Sequence, residues 1–182
     1  MVETLHKALA PDSVENWKRR FPGQIPDQLF AAEVLDSGTF NVEGNAVVAV
    51  DIGHTDTDHT TCRHVPSIGL VVAGDAICNG THPYLVESGP QGFNDWLAAI
   101  DTIEALNPRA VVVVHGPLDP DNSPRDIQGN PALHSGFHTL NEQTTTAEVL
   151  YNRMLALYPD RISPGSLWGS DHAAKAAGQP KA

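Results

Sequence analysis

Three short apolar runs each end on a glycine beside a histidine or an aspartate, and that recurrence constrains the fold more than any other feature. Ala46-Val47-Val48-Ala49-Val50 runs on to Gly53-His54. Gly69-Leu70-Val71-Val72-Ala73 meets Gly74-Asp75, and Ala110-Val111-Val112-Val113-Val114 meets His115-Gly116. Runs of this length and composition read as strands. A strand that ends in such a turn holds its imidazole or carboxylate at a sheet edge, where a ligand or a metal ion can reach it. The first exit is the densest, with His54, Asp56, Asp58 and His59 inside one short segment.

The rest of the chain supplies the frame. A helix is expected over Pro11 to Arg20, opened by Asp12 and Glu15 in a capping-box-like spacing and stopped by Pro22-Gly23. Thr39–Val42 and Ala46–Ile52 form a hairpin that turns at Gly44-Asn45, and a second pair turns at Pro66-Ser67. Phe93, Trp96, Leu97, Ile100, Ile103 and Leu106 recur at helical spacing. Ala110 to Val114 is wholly apolar, as in a strand buried on both faces. Between Pro117 and Thr139 the prolines and glycines argue against regular structure. A last helix is expected from Thr144 to Leu157. The order β-β-β-β-α-β-α is that of an α/β layer with much antiparallel pairing.

Composition narrows the function classes. The formal net charge of −11 opposes a phosphate backbone or an anionic lipid surface as partner, so neither nucleic acid nor membrane is expected. No run is long enough for a membrane span, and residues 1–20 lack the apolar block of a signal peptide. Two cysteines, Cys62 and Cys78, make no disulfide framework. A cytoplasmic location is the expectation.

With those pieces in place, the segment from Asp36 to His115 resembles the C-terminal half of a metallo-β-lactamase-fold hydrolase, with looser similarity on to Trp168. The resemblance rests on Gly53-His54-Thr55, Gly74-Asp75 and His115-Gly116, in that order and each at a strand exit. It implies a partial αββα sandwich, with a mixed and largely antiparallel sheet between flanking helices. It implies His54, Asp75 and His115 as zinc ligands, with Asp75 as the carboxylate that bridges two metals in the family. The family's opening motif, His-x-His-x-Asp-His, is absent. The nearest match is His54-Thr55-Asp56-Thr57-Asp58-His59, with aspartate where the second histidine belongs. On this reading the chain is a truncated member that retains one zinc ion rather than two, and His59 is the candidate replacement ligand.

Individual residues keep alternative roles. Asp75 and Asp58 are the candidate catalytic carboxylates, although Asp56 and Asp58 equally suit second-layer support of His54 or a turn. His82 and Tyr84 either line a substrate pocket or cover the sheet end. Cys78 is either a buried thiol or a soft ligand. His134 and His138 read as surface residues, and Trp17, Trp96 and Trp168 as core.

The expected organisation is an N-terminal helix and connector over 1–35, the half-domain over 36–168, and a flexible tail over 169–182. Two functions compete. One is a zinc-dependent hydrolase of an ester, thioester, lactone or amide, acting on a small-molecule substrate. The other is a non-catalytic half-domain that forms a homodimer or pairs with a complementary half, because a single half leaves an apolar sheet face to cover.

Overall fold

A computed structural model of the chain describes residues 6–117 and 122–177. Five strands form one sheet in sequence order: β1 (Thr39–Val42), β2 (Asn45–Gly53), β3 (Thr60–Val65), β4 (Leu70–Gly74) and β5 (Ala110–Val113). The first three pairings are antiparallel and β4–β5 is parallel. Glu43 and Gly44 both take positive φ, 49° and 82°, which gives a two-residue turn whose twist matches the strands. The second hairpin closes through a 3-10 turn, Pro66–Ile68, and Gly69 at φ 60°. A parallel pair needs a crossover, and α2 (Pro90–Ala105) supplies it. Helices α1 (Pro11–Arg20), α3 (Arg125–Gln143), α4 (Ala147–Leu157) and α5 (Pro164–Ala177) complete the layer. This is the mixed, flanked sheet expected from the strand pattern.

One face of the sheet makes the core. Val50, Cys62, Val71, Ala73, Val111 and Val113 join Trp96, Ile100 and Ile103 of α2 in a single cluster, which Leu133 and Phe137 of α3, Leu150 and Met154 of α4 and Leu167 of α5 extend. Register puts Phe40, Val42, Val47, Ala49, Val72 and Val112 on the opposite face, and none of these is fully buried.

Several expectations are corrected. The segment read as irregular contains α3, because Ile127, Leu133 and Phe137 bury one side of it despite Pro131 inside the helix. Residues 118–121 of that stretch lie outside the described residues. His134, expected at the surface, is fully buried, with its ring centroid 4.7 Å from that of Trp96. Residues 169–177, expected as a flexible tail, are helical, and Ser170 and Asp171 are fully buried; residues 178–182 are outside the described set. Trp96 is core, but Trp17 and Trp168 are 42% and 45% exposed. Strand β5 is an edge strand in which only Val111 is fully buried. Helix α1 starts with Pro11 behind Ala10, with no side-chain cap, so Asp12 and Glu15 form no capping box. Among the described residues no helix is long and apolar enough to cross a membrane.

Candidate functional site

Because β4 and β5 are parallel neighbours, their C-terminal ends deliver Asp75 and His115 to the same edge. His115 Nε2 lies 2.9 Å from Asp75 Oδ1. Both line a cavity of about 320 Å³ together with Asp56, Cys78, His82, Tyr84 and Trp96. The loop after β4 is clamped by four partners. Trp96 Nε1–H of α2 donates to Ala76 O at 2.9 Å. Asn130 of α3 accepts from Cys78 N–H at 2.9 Å and donates to Cys78 O at 3.2 Å. Asn79 N–H donates to His115 O at 3.3 Å, an approach that only glycine permits at 116, since a Cβ there would collide with Asn79. Arg161 Nη1 donates to Thr81 O at 2.7 Å and ties the far wall to the same loop.

The electrostatics of this cavity follow from burial. Desolvation pushes the Asp75 carboxyl up, the Asp56 charge adds to that, and His115 opposes it. His82 is 2% exposed, and neither ring nitrogen has a hydrogen-bond partner. Desolvation, helped by Arg161, depresses it to about 4, so it is a neutral imidazole that lines the cavity. Tyr84 is half exposed on the same wall. Burial pushes the Cys78 thiol up to about 12, far from the thiolate that a metal or an electrophile needs. Cys62 and Cys78 are both free and buried.

His54 goes elsewhere. Its Nδ1 is 2.7 Å from Asp58 Oδ1 and its Nε2 is 3.2 Å from Ser88 Oγ, so both ring nitrogens are engaged by protein groups. The pairing with His54 lowers the Asp58 carboxyl below its usual value. His59 is exposed at φ 60° and lines a separate depression with His54 and Asp58. Among the described residues no three His, Cys, Asp or Glu side chains converge on a point that could hold one metal ion. The implied set of His54, Asp75, His115 and His59 therefore does not fit a preassembled zinc centre: the structure joins Asp75 with His115 and places His54 with Asp58. Sequence reasoning singles out neither Asn130 nor Ser88. Asn130 lies in a stretch read as irregular, and Ser88 carries no motif.

No family model and no curated protein matches the chain. Solved structures do. A metallo-β-lactamase family protein of Thermus thermophilus is 19% identical with a TM-score of 0.55, over 94% of this chain and 56% of that one. A β-lactamase domain protein of Burkholderia ambifaria is 12% identical with a TM-score of 0.54, over 95% of this chain and 52% of that one. The chain thus spans about half the length of the structures it matches. Strand order, the strand-end position of Asp75 and His115, and these likenesses together make this a chain of the metallo-β-lactamase fold.

Proposed function

We propose that the chain is a hydrolase-type half of this fold whose cavity at Asp75 and His115 takes a small molecule with a hydrolysable carbonyl: an ester, thioester, lactone or amide. One observation carries the reading. Asp75 and His115 stand 2.9 Å apart at the carboxyl ends of adjacent strands, where open α/β sheets bind ligands. Asp75 fixes the orientation of the His115 imidazole, and the neutral His82 ring offers one donor and one acceptor to a polar ligand. Zinc enters this reading as one ion that Asp75 and His115, donors of the kind it prefers, would hold. Elemental analysis of the zinc-equilibrated, gel-filtered protein tests it. Wild type and His54→Ala retain zinc, whereas His115→Ala loses it. Less than about a tenth of an equivalent on wild type defeats the reading.

A second reading has its own support. The sheet face bearing Phe40 and Val42, 41% and 51% exposed, suits a second copy of this chain packed sheet to sheet. Light scattering on the same micromolar sample reports a dimer on this reading; a monomer counts against it.

A further inference from the structure

We infer that a second cavity, lined by α2, α3 and α5, binds a small primary amine, with the ammonium at the C-terminal end of α3 and a compact hydrocarbon body against Phe93 and Phe137. The cavity measures about 350 Å³ and is distinct from the one at Asp75 and His115, which has other lining residues. Leu85 and Phe137, 6% and 7% exposed, wall it together with Phe93, Ala173 and Ala174. Apolar walls with a few polar groups at one end are the usual make-up of a small-molecule site. None of His54, His59, Asp75 and His115 lines this cavity, so binding here is independent of any metal ion.

The polar groups at the α3 end are acceptors. Asn141 lines the cavity, and its Oδ1 is buried without a hydrogen-bond partner. A ligand N–H is what such an atom lacks. Its neighbour Glu142 has a side chain 69% exposed, and Oε1 lies 3.5 Å from His138 Nε2, beyond ordinary hydrogen-bond length. His138 is held instead by stacking on Phe93, with ring centroids 5.2 Å apart and planes at 22°. Both acceptors belong to the last turn of α3, which carries no basic residue, and the carbonyls of such a turn add negative partial charge. Lys175 of α5 donates to two of those carbonyls, Asn141 O and Thr144 O. That leaves Asn141 Oδ1 and the Glu142 carboxylate to a ligand.

Charge decides between an amine and an acid of the same shape. The first-turn amides of α2 would suit a carboxylate, but Gln91 and Gly92, which carry them, do not line the cavity. Phe93 N–H is already bonded to Gly89 O at 2.9 Å. Ser88 Oγ is engaged by Thr55 O at 3.1 Å and His54 Nε2 at 3.2 Å. Among the described residues that line the cavity there is no lysine or arginine, and the formal net charge of −11 concentrates cations rather than anions near the surface. An ammonium has donors enough for Asn141 Oδ1 and Glu142 together. The rings of Phe93 and Phe137 suit a cation as well as hydrocarbon.

The test is calorimetric titration of the full chain at neutral pH, with and without EDTA, using three probes of similar shape: phenethylamine, phenethyl alcohol and hydrocinnamate. The amine binds with a Kd of about 0.1 mM in both conditions. The alcohol binds about 10-fold more weakly, and hydrocinnamate gives no measurable heat. Glu142→Gln weakens the amine about 5-fold and leaves the alcohol unchanged. The unchanged alcohol affinity reports that this variant is folded, so the split between the two probes reads the carboxylate alone. Ala173→Leu, which fills the cavity, removes binding of both. No heat from the amine, an acid that binds as tightly as the amine, or equal amine affinity in wild type and Glu142→Gln each overturns the inference. Wild-type affinity in Ala173→Leu also overturns it, by placing the amine outside this cavity. Zinc retention at His115 is untouched by any of these results, so this inference and the proposed function fail separately.

Discussion

The side-chain amide of Asn130 is 1% exposed and satisfies both backbone groups of Cys78, the N–H at 2.9 Å and the C=O at 3.2 Å. Replacement by alanine leaves a buried donor and a buried acceptor without partners, at a cost of about 2–4 kcal/mol. Thermal denaturation of Asn130→Ala should show that loss, and a change below about 1 kcal/mol would mean that the loop relaxes to water instead. The same residue shows what a sequence reveals at this scale. Asp75 and His115 are legible because each directly follows a strand, so the local pattern fixes where the backbone delivers it. Asn130 bonds a residue 52 positions away, and no local signal announces that. His54 lies between these cases. Its place at the end of β2 is readable, but the direction of its imidazole is set by Asp58, Ser88 and the bare backbone of Gly92, all of which depend on tertiary contacts.

Elements built from short-range rules are legible in the sequence, and those built from packing are not. Both hairpins and α2 follow from turn residues and apolar spacing, although the first hairpin turns at Glu43-Gly44, one residue before the expected Gly44-Asn45. Helix α3 contradicts its own breakers, because glycine there serves close approach rather than a break in the chain. Gly136 faces Tyr158, whose hydroxyl donates to Ala132 O at 2.9 Å, and a Cβ at 136 would overlap that ring. Gly129 differs: its nearest neighbour to a built Cβ is Arg161 Nη2 at 3.8 Å, an ordinary contact. Two substitutions in one helix should therefore have opposite signs. Gly136→Ala loses about 1–3 kcal/mol through overpacking, while Gly129→Ala gains up to about 1 kcal/mol from helix propensity. Chemical denaturation of both variants checks this. Equal and positive effects would show that Tyr158 moves aside without cost.

At the scale of the whole molecule, three buried titratable groups set opposing slopes of stability against pH. His82 and His134 are depressed from 6.5 to about 4, each mainly by desolvation. Between those values the unfolded chain holds the proton and the folded chain does not, so each makes stability rise with pH. Asp171 has no hydrogen-bond partner on either oxygen, and desolvation raises it from 3.8 to about 7 against the pull of Lys175. There the folded chain holds the proton that the unfolded chain has released, so stability falls as pH rises over that window. From pH 4 to 6.5 the two histidines outweigh the single aspartate, so these groups together make stability rise with pH. Above 6.5 the two histidines no longer contribute, and of these three groups only Asp171 still opposes a rise. His134→Leu removes one rising contribution and leaves one of each sign, so the slope between pH 4 and 6.5 should flatten. Asp171→Asn removes the falling one, and the slope should steepen instead. Urea denaturation midpoints at about pH 4.5, 5.5 and 6.5 for wild type and both variants separate these outcomes. Parallel profiles for all three would mean that water reaches these groups in the folded chain and that their burial does not govern its response to acid.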